Sequence, residues 1–194
     1  MARPKAFDER AAIGRAMDAF WVGGYEGTST QALCAATGLG RSSIYNTFTS
    51  KHELFLRAFD QYSERGFRSR KALLEAGGAA IERFRALFDF TIAEEVEHPG
   101  RGCFVVNAVA EFGDRDPVLS ARIAADTRRH LGLLATCATE GQRDGTVDAT
   151  RRPGDIAEFA HSTVAGLRLM SRRGAGQAAM EAVAGLAMDA IATE

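Results

Sequence analysis

Between Thr28 and Leu54 the chain reads TSTQALCAATGLGRSSIYNTFTSKHEL, and this stretch limits the available folds more than any other. Two pairs of the Ser/Thr-x-x-Glu/Gln type, Thr28 with Gln31 and Ser50 with Glu53, mark helix starts, because each pair satisfies two free backbone amides reciprocally. The Gly38-Leu39-Gly40 triplet between them interrupts the helical pattern and favours a tight turn. The spacing predicts a short helix, a turn, a second short helix over about Arg41 to Phe48, and the start of a third. Two short helices across such a turn form a helix-turn-helix, whose second helix fits the DNA major groove.

Upstream, Ile13, Ala16, Met17, Phe20 and Trp21 recur at helical spacing and predict a first helix that stops at Gly23-Gly24. It is the natural third wall for two helices too short to bury a core alone. The residues now carry a family resemblance. Phe20, Gly24-Tyr25, Thr28-Ser29, Leu33, Gly38-Leu39, Ile44-Tyr45, Phe48, Lys51 and Leu54 stand at the spacings of the amino-terminal domain of TetR/AcrR-type one-component regulators. The resemblance covers roughly residues 8 to 60. It implies an all-helical homodimer, typically a repressor released from double-stranded operator DNA by a small molecule. One departure is Gly40, where the family often carries a Ser or Thr cap; glycine is only slightly worse there.

With 194 residues and 46% apolar content, the chain can bury a sizeable core. No run approaches the ~20 apolar residues of a membrane span, and the N-terminus lacks an apolar signal core. Three cysteines without paired spacing argue against a disulfide framework, so a cytoplasmic protein is expected. The net charge of −1 conceals an asymmetry: residues 1–71 hold 11 Lys/Arg against 7 Asp/Glu, and residues 72–194 hold 13 against 18. A basic first part and an acidic remainder suit a protein that turns one end toward phosphates.

Helical signals continue to the C-terminus, and the expected fold is all-α with about nine helices. A three-helix helix-turn-helix domain, residues 1–50, is joined by a long helix to a ligand-binding and dimerisation domain, residues 51–194. The long helix carries Leu54, Phe55, Ala58, Phe59 and Tyr62 and ends near Gly77-Gly78. Small residues, including Ala160, Ala165, Gly166, Ala184 and Gly185, crowd the last two helices. In the family, the last two helices pair with those of a partner chain; an ordinary hairpin within one chain is the other reading.

Arg41, Ser42 and Ser43 open the second short helix and are placed to reach base edges, with Asn46 near the same face for an adenine edge or a phosphate. A bidentate Arg41 on guanine would discriminate by roughly 1–3 kcal/mol. Tyr45, Thr28, Thr47 and Lys51 are expected on the phosphate backbone, setting position rather than reading sequence. Arg3-Pro4-Lys5 is either a minor-groove arm or an ordinary basic N-terminus. His52 is assigned no role.

Candidate effector contacts in the body are Asn107, His130 and His161, polar residues among apolar stripes that include Phe59, Phe84, Phe88 and Phe159. Cys103 is expected in the first turn of a helix with Arg101 nearby; both would favour the reactive thiolate. The stretch GRGCFVVNAVAE, followed by Asp116-Pro117, also resembles the Gly-Cys segment of one TetR branch, which includes regulators of electrophile and hypochlorite responses. Cys103 is therefore either an electrophile or oxidant sensor or a small core residue. No phosphate loop, Ser-His-Asp order or zinc spacing is present, so neither a cofactor nor an enzyme is expected. The alternative is a helical enzyme or interaction module that uses Cys103. Effector, operator and the sign of regulation are not written in the sequence.

Overall fold

The computed structural model describes residues 7–193, and among these nine helices follow one another. They are α1 (Glu9–Gly23), α2 (Thr30–Thr37), α3 (Arg41–Phe48), α4 (Lys51–Leu74), α5 (Ala80–Glu97), α6 (Phe104–Phe112), α7 (Pro117–Asp144), α8 (Pro153–Arg172) and α9 (Gln177–Ile191). The Arg3-Pro4-Lys5 segment lies outside the described residues. Among them, no helix is long and apolar enough to cross a membrane.

The caps explain where the short helices begin. Ser50 accepts the Glu53 amide at 2.9 Å and starts α4 as the sequence predicts. The cap of α2 is displaced by one residue: Ser29, not Thr28, accepts the Ala32 amide at 3.1 Å. Thr28 is buried, and its hydroxyl donates to the Gly24 carbonyl at 2.6 Å, closing the α1–α2 turn. Gly38 ends α2 with φ 71°, a left-handed conformation that glycine adopts without steric penalty.

Two apolar cores result. The first gathers Phe20 of α1, Leu33 of α2, Ile44 and Phe48 of α3, and Leu54, Phe55 and Phe59 of α4, and then extends to Phe104 and Ala108 of α6. The second collects the far end of α4 with α5, α7, α8 and α9 around Phe84, Phe88 and Leu167. Phe84 and Phe88 thus fill core, whereas Phe159 points outward, 44% exposed.

Helices α3 and α4 meet at a strained residue. Thr49 has φ 65° and ψ −45°, and the Ser50 amide donates to the Phe48 carbonyl at 2.6 Å. That is a γ-turn of the rare hand, an outlier for a β-branched residue. Such strain costs on the order of 1–3 kcal/mol. Thr49→Gly should therefore raise unfolding free energy by about 1 kcal/mol after glycine's extra chain entropy is deducted. Urea denaturation checks this, and a destabilised variant would show that the threonine side chain contributes more than the turn costs.

Candidate nucleic-acid interface and body cavity

Helix α3 is two-faced because Ile44 and Phe48 enter the first core at 1% and 0% exposure. Arg41, Ser42, Ser43 and Asn46 are left exposed, with Tyr45 and Thr47 half-buried between the two faces. The Tyr45 hydroxyl lies 3.2 Å from that of Thr30 and so ties α3 to the first turn of α2; Arg41 lies over its ring at 5.7 Å. Lys51 holds its ammonium 4.4 Å from the Tyr25 ring centroid, at the edge of the same surface. Thr28 does not join this surface. Its burial removes it from the backbone-clamping set, and the hydroxyl that reaches Tyr45 of α3 belongs to Thr30.

A second set of contacts ties this region to α6. The Glu111 carboxylate accepts the Tyr25 amide at 2.8 Å and the Glu26 amide at 2.7 Å. Gly24 makes room for it, since a Cβ there would meet a Glu111 oxygen at 3.1 Å. At the other end of α6, the Trp21 indole donates to the Gly102 carbonyl at 3.0 Å. His52 lies 2.5 Å from Asp116, the residue that caps α7. Burial pushes Asp116 upward, yet His52 and two α7 amides outweigh it and hold the carboxyl below its ordinary value. Nothing in the local sequence pattern marks Glu111, because its partners lie 85 and 86 residues away.

The body encloses a cavity of about 70 Å³ where α4, α6, α7 and α8 converge. Cys103, His130 and His161 all line it. Asn107 does not. Its amide donates to the Arg101 carbonyl at 3.2 Å and its oxygen accepts from Arg172, on a surface groove beside Trp21. Cys103 is the N-cap residue of α6 rather than part of its first turn, and its sulfur accepts a hydrogen bond from Tyr62 at 3.6 Å. Arg101 turns away from it, resting 3.8 Å over Trp21 and pairing with Asp18. The thiolate-stabilising neighbour expected from the sequence is thus engaged elsewhere, because the Trp21 face and the Asp18 carboxylate offer the guanidinium a better site. Arg168 is instead the cation that couples to Cys103 and Tyr62.

Burial is the largest influence on the two cavity imidazoles. It pushes His130 down to about 3, assisted first by Arg70, and lowers His161 in the same way. Both imidazoles are therefore uncharged at neutral pH, and the Nε2 of His130 is free to accept from Arg70 at 3.2 Å. Arg168, 4% exposed, pairs with Glu94 at 2.6 Å and Glu95 at 3.2 Å. Cys137 is core, its thiol raised to about 11 by burial.

This arrangement has known counterparts along nearly the whole chain. Residues 13–58 match the family described as "Bacterial regulatory proteins, tetR family", and residues 80–186 match "Tetracyclin repressor-like, C-terminal domain". The HTH-type transcriptional repressor ComR of Escherichia coli (strain K12) is 31% identical over 189 residues, covering 94% of this chain and 88% of ComR. The uncharacterized HTH-type transcriptional regulator YezE of Bacillus subtilis (strain 168) is 35% identical over 121 residues, 62% of each chain. Among solved structures, the TetR family transcriptional regulator CifR, as a cysteine mutant complexed with a 26bp double-strand operator DNA, superposes with a TM-score of 0.86. It is 31% identical and the match covers 98% of this chain and 100% of that one.

The buried, uncharged His130 has a pH signature. Its folded value lies below the ordinary 6.5, so the unfolded chain takes up a proton that the folded one refuses. The associated stability is complete above about 6.5 and is lost as pH falls toward about 3, at no more than about 1.4 kcal/mol per pH unit. Urea unfolding across this window should show a shallower acid slope for His130→Gln than for the parent. Equal slopes would mean that the imidazole titrates normally in the folded protein.

Proposed function

The chain belongs to the TetR family of bacterial regulatory proteins, and from that membership we propose a homodimeric repressor that grips double-stranded operator DNA through α3 and releases it when its body cavity is filled or Cys103 is modified. That it is a DNA-binding transcriptional regulator follows from the family, and the reading as a helical enzyme built on Cys103 is thereby set aside. The observation that carries the proposal is the division of α3: Ile44 and Phe48 anchor it while Arg41, Ser42, Ser43 and Asn46 stay free for base edges. In this reading Tyr45, Thr47 and Lys51 contact phosphates, residues 1–50 read DNA, and residues 51–194 form the controlling body. The protein works in the cytoplasm, where operator DNA lies.

The outer side of α8 and α9 supports the dimer. Leu169 and Leu186 are 57% and 70% exposed, beside the outward Phe159 and Val183. A Cβ added at Gly166 would meet nothing within 4 Å. An apolar, small-residue face of this kind suits a second copy, whose two-fold axis places two α3 helices on successive major grooves. This predicts that Arg41→Ala weakens operator binding and relaxes preference at one base pair, by roughly 1–3 kcal/mol. Gly166→Glu should yield monomers that bind operator poorly, since one subunit keeps half of the contacts. Sedimentation and fluorescence anisotropy check both; a parent that is monomeric at micromolar concentration removes the dimer reading.

Control reaches the DNA through α6. Cys103 and Val106 line the cavity at its start, and Glu111 near its end holds the two amides of the α1–α2 turn. Hydrogen bonds to a charged group of this kind contribute about 1.5–3 kcal/mol each, which is comparable to the coupling of typical allosteric switches. Alkylation of Cys103 by iodoacetamide should release operator from the parent but not from Cys103→Ser. Glu111→Ala should blunt that release. If Glu111→Ala lets go as readily as the parent, the signal does not travel through α6.

A further inference from the structure

Three charged side chains line the cavity, and they are unequally matched. Arg168 has Glu94 and Glu95 behind it, and Asp126 accepts from the Ser63 hydroxyl. Arg70 differs from both. Its Nη1 meets the uncharged Nε2 of His130, and among the described residues no carboxylate pairs with it. Two further donors are open. His161 stacks on His130, with ring centroids 6.2 Å apart, and makes no hydrogen bond among the described residues. Arg168 keeps a buried Nε–H without an acceptor. The remaining wall is largely apolar, with Val106, Leu134 and Val164. After burial, Arg70, His161, Arg129 and Arg168 depress the imidazole of His130, and the Asp126 carboxylate lies 3.6 Å from its Nε2.

We propose that the cavity takes a short-chain monocarboxylate, its carboxylate gripped by Arg70 with His161 and its alkyl end against Val106, Leu134 and Val164. This rests on the reading that the body cavity controls operator binding. Size sets the chain length. A void of ~150 Å³ admits benzene, with its six heavy atoms, and this one is about half that, which suits an acid of about two carbons. Charge sets the head group, because a guanidinium binds a carboxylate through two parallel, charge-assisted hydrogen bonds that an amide does not reproduce. Arg70 belongs to α4, which begins beside the recognition helix, and His161 belongs to α8. An anion bridging them changes how α4 and α8 pack around α6, which gives the ligand different affinities for the DNA-bound and released states.

The test uses the full-length protein on operator DNA, with acetate and its uncharged near-isostere acetamide as probes, each at millimolar concentration. Acetate should weaken operator binding about tenfold, within the usual range of allosteric coupling, and acetamide should leave it unchanged. Arg70→Met should lose the acetate response, and acetate should no longer raise its melting temperature. Arg68→Met, on the exposed side of the same helix, should respond like the parent. Circular dichroism establishes that both variants fold. If acetamide releases operator as well as acetate does, the carboxylate assignment is overturned and control from the cavity stands. If neither probe acts while alkylation of Cys103 still releases DNA, the carboxylate assignment again fails and control from the body survives. If neither probe nor alkylation changes operator affinity, the proposed control itself is wrong.

Discussion

Phe55 of α4 meets four other rings at centroid separations of 5.2–5.4 Å: Phe20 of α1, Tyr25 of the α1–α2 turn, and Phe104 and Phe112 at the two ends of α6. Helices α2 and α3 have eight residues each, well short of the roughly 12–15 at which an isolated helix becomes even marginal in water. They exist because Leu33, Ile44 and Phe48 find a prepared apolar floor, and the ring of Phe55 is its centre. Burial of one such side chain contributes roughly 1.5–3 kcal/mol, and each well-set ring pair about 0.5–1.5 more. The same ring that steadies α2 and α3 is therefore held in place by α6.

That shared packing makes a switch physically reasonable in a protein of this size. Interiors are packed as densely as organic crystals, so a displaced α6 is not absorbed by slack; its neighbours move with it. The polar contacts follow the same geometry. Trp21 on Gly102 and Glu111 on the Tyr25 and Glu26 amides pin the two ends of α6 to the region that presents α3. A cavity whose wall includes the first turn of α6 is well placed to disturb them.

Much of the fold was legible because helix signals are local. Caps, glycine breaks and apolar periodicity give the order and nearly all the boundaries of the helices, and Ser50 caps α4 as its spacing says. Thr28 shows the limit. Three hydroxyls in a row, Thr28, Ser29 and Thr30, all suit a cap, and which one serves depends on the Gly24 carbonyl that Thr28 reaches across the turn. Asn107 and Arg101 were misplaced for a similar reason. Both were read from neighbours along the chain, while their partners, Arg172, Trp21 and Asp18, come from distant helices.

From the sequence alone came the helix-turn-helix, the all-α architecture, the exposed character of Arg41 to Ser43 and the short list of polar residues in the body. Each is a property of a segment, decided by spacings of a few residues. Only the tertiary structure decided which of those polar residues share a cavity, that Cys103 bonds to Tyr62 and shares its cavity with Arg168 while Arg101 lies elsewhere, and that Glu111 holds the turn before α2. Such pairings follow from how helices cross, and the energy that selects a crossing is spread over many buried contacts far apart in the chain, so no local pattern records it.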